Sequence, residues 1–101
     1  MQPVSWAKDD GPLSEKALIN KLETLGYSCS RYTYPPGTSF PDHTHDVDKI
    51  DAVLQGRFKM SMAGGSVTLE AGDYLFVPKG ATHSAEVIGD EPVISIDAIK
   101  R

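Results

Sequence analysis

From Gly26 onward the chain meets a turn signal about every eight to twelve residues, and the stretches between these signals alternate apolar with polar side chains. That rhythm leaves little room for helices. It dictates short antiparallel strands, whose edges are hidden by rolling two sheets together or by closing a small barrel. Tyr27 to Tyr34 reads as a first strand, closed by Pro35-Pro36-Gly37, and Ile50 to Leu54 as a second that stops at Gly56. In the next run Arg57, Lys59 and Ser61 alternate with Phe58, Met60 and Met62, which is the pattern of a half-buried strand. Val67 to Leu69, Tyr74 to Val77, His83 to Ile88 and Val93 to Ile99 follow, which gives about seven or eight strands in all. No internal repeat is present.

Before Gly26 the pattern differs. Asp9-Asp10-Gly11-Pro12 is a polar turn cluster, so residues 1–12 read as an arm and 13–101 as one domain. Ser14 is placed to cap a helix over about residues 14–25, with Leu18, Leu22 and Leu25 on one face and Gly26 as the stop. This stripe is suited to packing on a sheet; the strand barrel then occupies about residues 27–99. Ile50, Ala52 and Leu54 line one face of their strand while Asp51 and Val53 line the other, so both faces call for cover. The leucine helix or a second copy of the chain supplies it, and a homodimer is the expectation.

A chain of 101 residues is the size of one domain, and ten Lys and Arg against fourteen Asp and Glu give a net charge of −4. Such a field repels nucleic acid and anionic lipid. No apolar run approaches the roughly 18 residues of a membrane span, and the first residues lack a basic segment followed by an apolar one, so a cytoplasmic protein is expected. One cysteine, Cys29, excludes internal disulfides and cysteine zinc cages. Any bound metal is therefore held by nitrogen and oxygen.

The three histidines are the chemically informative residues. His43-Thr44-His45 places two imidazoles at i and i+2, on one face of an extended backbone, and His83 begins a later strand after a proline–glycine turn. Neutral imidazole is a common ligand for Zn, Fe, Mn, Ni or Cu, so His43, His45 and His83 are candidate ligands of a divalent transition metal. Solvated HxH pairs and core histidines also occur, and the glycine and proline framework is what favours the metal.

That framework resembles the cupin family. Gly37 is followed by five residues, His43-Thr44-His45 and later Gly56; Gly72, five residues on, leads to Pro78, Gly80 and His83. The resemblance implies a double-stranded β-helix, or RmlC-like jelly-roll barrel, with a short N-terminal helix, and a metal held by three histidines. Gly37, Gly56, Gly72 and Gly80 fall at corners where a Cβ could clash, and Pro78 stiffens the turn that aims His83. In two places the sequence departs from the family pattern. Lys49 stands where the pattern has its glutamate ligand, and Val87 where it has an asparagine.

A dication about 5 Å from an ammonium, at an effective dielectric near 20, is repelled by about 7 kcal/mol. Lys49 therefore swings out, is neutralised by a carboxylate, is deprotonated, or the site carries no metal. Asp51 is the candidate compensator, or a fourth ligand; Asp48 is a second candidate of opposite parity. Phe58, Met60 and Phe76 are expected to line the cavity. Two functions follow from this reading. One is a metal-binding cupin acting on a small polar molecule, of dioxygenase, isomerase or lyase type; the other is a non-catalytic small-ligand-binding or sensing cupin, with or without metal. No catalytic residue is identifiable.

Overall fold

The computed structural model describes residues 1–101. After a 3-10 turn at Lys8–Asp10 comes helix α1, Glu15–Thr24, followed by eight strands: β1 Tyr27–Tyr34, β2 Ser39–His43, β3 Lys49–Gln55, β4 Arg57–Met62, β5 Gly65–Leu69, β6 Tyr74–Val77, β7 His83–Ile88 and β8 Val93–Lys100. They form two four-stranded antiparallel sheets, ordered β1-β8-β3-β6 and β2-β7-β4-β5. The jelly roll is thus present as expected. Seven of its strands fall on the periodic stretches, and β2 is the exception: Pro41 and a register shift between Phe40 and His43 break its alternation.

The core has two compartments because β3 is buried on both faces. Val53 joins Phe58, Met60, Leu69, Leu75 and Val77 between the sheets. Ile50 and Ala52 turn outward and are covered by Leu18 and Leu22 of α1, together with Tyr27, Tyr74, Ile96 and Ala98. The helix begins where the Ser14 hydroxyl accepts the Ala17 N–H at 3.1 Å. It ends at Thr24, so Leu25 leaves the stripe and is exposed, a correction to the three-leucine face. The helix supplies the cover for which a second copy was the other candidate.

The N-terminal arm lies along the free side of β6, where Val4 and Tyr74 exchange two backbone hydrogen bonds of 2.8 Å. Trp6 packs over Gly72 and donates its indole N–H to the Gly11 carbonyl. A Cβ on Gly56 or Gly72 would meet neighbours at 2.5 and 2.6 Å, as expected of corner glycines. Gly37 and Gly80 instead face open space; there the positive φ, +86° and +79°, is what selects glycine. No helix is long and apolar enough to cross a membrane.

Candidate metal centre

His43 ends β2 and His83 begins β7, and the two are directly opposed across the antiparallel pair. Their ring centroids lie 4.2 Å apart. His45 sits two residues beyond His43, outside the strand, with its ring 4.8 Å from that of His43 and 5.1 Å from that of His83. One nitrogen from each ring can be chosen so that all three lie within 4.8 Å of one another. The three histidines converge, and they are positioned to hold a metal ion.

Backbone hydrogen bonds hold the two halves of this cluster together. Gly80 N–H donates to the His45 carbonyl at 2.9 Å, and Lys79 N–H donates to Asp48 Oδ1 at 2.8 Å. The loop that carries His45 is therefore stapled to the turn that leads into His83. Asp48 acts from outside the cavity through this contact.

Tautomer and charge follow from the surroundings. His43 Nδ1 lies 2.7 Å from the Pro41 carbonyl and His83 Nδ1 lies 2.9 Å from the Ala81 carbonyl. A carbonyl only accepts, so both Nδ1 atoms carry the proton and both Nε2 atoms present a lone pair. Burial holds the His45 imidazolium below its usual pKa, helped by the positive Lys49 and the neighbouring rings. For His83 burial also lowers the pKa, partly opposed by the Ala81 carbonyl. Both rings favour the neutral form that a metal requires. The buried Nε2 of His45 has no hydrogen-bond partner within the protein, and a buried polar atom left unpaired costs free energy. The donor set fits a divalent transition metal.

The rings open into a cavity of about 220 Å³ between the sheets. Phe58 and Met60 line it, together with Tyr32, Tyr34 and Phe40. Phe76 does not. It pairs in register with Ile50 on the outward face of the sheet, is 44% exposed, and packs edge-on against Tyr27 and Tyr74. Parity decides this: in a four-residue strand Leu75 and Val77 take the inner positions, so Phe76 cannot.

Lys49 and Asp51 both point into the cavity and are both buried. The Lys49 ammonium pairs with Asp51 at 3.1 Å and also with Asp97, which reading of the sequence had not singled out. Asp51 and Asp97 face one another across β3 and β8. Burial raises the Asp51 carboxyl to about 6, against the attraction of Lys49 and with help from the facing Asp97. Ionised, the three side chains carry a net charge of −1, the formal charge that a glutamate ligand would bring.

Residues 30–99 match the cupin domain family. The chain is a cupin. It is 36% identical over 83 residues to germin-like protein 5-1 of rice, Oryza sativa, an alignment covering 76% of this chain and 38% of that protein. With an oxalate-binding protein of Thermotoga maritima it shares 33% identity over 79 residues, 77% of this chain and 62% of the other. It thus spans less than two thirds of either relative. Among solved structures, a DMSP lyase, DddQ of Ruegeria pomeroyi, superposes with a TM-score of 0.67 at 25% identity, over 75% of this chain and 39% of that one.

Proposed function

We propose that this cupin binds a divalent transition metal (Zn, Fe, Mn, Ni or Cu) through His43, His45 and His83 and presents it to a small polar molecule in the cavity. The observation that carries the reading is the buried, unpartnered Nε2 of His45 beside two histidines whose Nδ1 atoms are committed to carbonyls. When bound, the metal supplies Lewis acidity toward a ligand oxygen, as dioxygenase, isomerase and lyase chemistries all use. The protein orients that ligand between the polar wall of Lys49, Asp51, Ser95 and Asp97 and the aromatic wall of Tyr34, Phe40 and Phe58. At about 220 Å³ the cavity is below the roughly 300–1,000 Å³ of typical ligand pockets, which favours a small molecule. A relative named for oxalate binding and a structural neighbour named as a DMSP lyase support the same size class. The free, half-buried Cys29 is in keeping with a reducing, cytoplasmic setting.

A second reading, a non-catalytic ligand-binding cupin without metal, is favoured by one observation: a permanently charged ammonium bears on His45. Elemental analysis of tag-free protein purified without chelator separates the two. The metal reading expects one equivalent of metal, lost in the His43→Ala, His83→Ala double variant. Less than a tenth of an equivalent in the parent protein after incubation with each candidate ion would sink that reading and leave the binding module.

A further inference from the structure

The charged side chains around the cavity are unequally matched. Besides the three histidines, its lining carries one cation, Lys49, and two carboxylates, Asp51 and Asp97. The Lys49 ammonium lies 3.1 Å from Asp51 Oδ1 and also pairs with Asp97 Oδ1. One positive charge is divided between two negative ones, and a charge of −1 is left over. The two carboxylates are not equivalent. The Asp51 side chain is only 9% exposed, whereas that of Asp97 is 26% exposed, so Asp97 is the one a ligand can reach. A carboxylate has about four lone-pair sites, and Lys49 engages Oδ1, so Asp97 keeps room for further donors. Ser95, two residues away on the same face of β8, adds a buried hydroxyl to that wall.

The geometry points to a small zwitterion as the ligand, an amino-acid-like molecule whose carboxylate meets the metal and whose primary ammonium meets Asp97. Its carboxylate end rests on the metal reading above; its ammonium end does not. The two ends lie on different sheets. His43 and His83 come from β2 and β7, whereas Asp51 and Asp97 come from β3 and β8, and one cavity joins them. A ligand that reaches both therefore bridges the roll, with its carbon chain along Tyr34, Phe40, Phe58 and Met60.

Charge balance selects the far end of that ligand. An added ammonium turns one cation against two anions into two against two, and cancels the surplus. A second carboxylate would meet that surplus instead, because Lys49, the one cation of the lining, is already held by both aspartates. An uncharged end would leave the charge unpaired in a cavity walled on its other side by aromatic rings, where charges are weakly screened. The hydrogen bonds agree with this choice. A primary ammonium brings three N–H donors, and the wall of Asp97 and Ser95 offers acceptors.

Isothermal titration calorimetry near neutral pH tests this with glycine, β-alanine and γ-aminobutyrate, each against the isostere that carries a methyl in place of the ammonium: propionate, butyrate and pentanoate. The wild-type chain is titrated both loaded with manganese, its metal content assayed, and stripped by chelator and dialysed. At least one zwitterion should bind the loaded protein about tenfold or more tightly than its isostere. Asp97→Asn, which keeps the shape and removes the charge, should bring each pair to within about twofold. The wild-type comparison holds whether or not that variant folds. The gain in affinity on loading reports on the metal alone, so its absence would sink the metal reading and leave the preference for an ammonium standing. A preference below tenfold for all three zwitterions in the loaded protein, or in the stripped protein should no manganese be retained, would overturn the inference. So would a tenfold preference that survives in folded Asp97→Asn.

Discussion

Lys49 and Asp51, two residues apart on β3, form an ion pair of 3.1 Å inside the barrel, with side chains only 7% and 9% exposed. Asp97 closes the cluster from the facing strand. Removing one partner of a buried pair leaves an uncompensated charge, at a cost of about 3–5 kcal/mol. Lys49→Met should therefore destabilise the metal-free protein by about that amount at pH 7, read from urea unfolding. Metal affinity should move the other way, because the substitution removes a positive charge that acts on His45 and leaves two carboxylates nearby. A gain of about tenfold or more, 1.4 kcal/mol, is expected in a competition titration with a chromogenic chelator. An unchanged affinity would mean that the ammonium exerts no field at the histidines.

Asp51 gives this cluster a pH signature. Its carboxyl is raised in the folded protein to about 6, from an ordinary 3.8, because burial and the facing Asp97 outweigh the pull of Lys49. Between those values the folded chain binds more protons than the unfolded one, so this group's contribution to stability falls as pH climbs from about 4 to 6 and is level above. Asp51→Asn removes the titration. Its melting temperature relative to wild type should accordingly rise from pH 4 to pH 6.5, by an amount corresponding to about 2–3 kcal/mol. A difference that stays constant across this interval would show that Asp51 ionises normally.

How much of this could be read from the sequence depended on whether a feature is local. The turn spacing, the strand periodicity and the glycine–histidine frame are local, and they led to the sheets and to the three convergent rings. Asp97 was missed for a definite reason. Along β8, Ser95 and Asp97 alternate with Ile94, Ile96 and Ala98, a pattern that ordinarily marks a polar face in water. Here the helix covers the apolar face, and the polar face lines the cavity. Only the pairing of β8 with β3 brings Asp97 opposite Asp51, and register across distant strands is not written in either one. Phe76 failed by the same route in reverse. An aromatic residue in an apolar run carries no sign of which face it takes until its partner, Ile50, is known.

Two corner glycines with almost the same backbone angle should respond differently to alanine. Gly56 has φ +88°, and its Cβ would lie 2.5 Å from the Pro92 carbonyl oxygen and 3.0 Å from the Val93 Cα, both backbone atoms. Gly89 has φ +82° and open space. Left-handed geometry alone costs an alanine roughly 1–2 kcal/mol. Gly89→Ala should lose about that much stability. Gly56→Ala must also displace the chain at the start of β8, and should lose about 3 kcal/mol or more. Equal losses in thermal melts would show that the β8 entry yields freely.

Acid should release the metal before it unfolds the chain. Burial depresses the pKa of His45 and of His83 below 6.5, and a bound ion depresses proton affinity further by competing for the same lone pairs. In the metal-free protein these two rings stay neutral while the unfolded chain gains protons. Their contribution to stability is therefore complete above about pH 6.5 and is lost as pH falls toward the folded values. For the holo-protein the prediction is a loss of metal as pH is lowered from 7 to 5, followed by dialysis and elemental analysis, with the far-UV spectrum intact at the midpoint. The Nδ1 contacts sharpen this expectation. The Nδ1 protons of His43 and His83 are already committed to carbonyls, so in His83 the incoming proton must take Nε2, the atom proposed to hold the metal. Retention of a full equivalent at pH 4.5 would rule out imidazole ligation and require carboxylates to hold the ion instead.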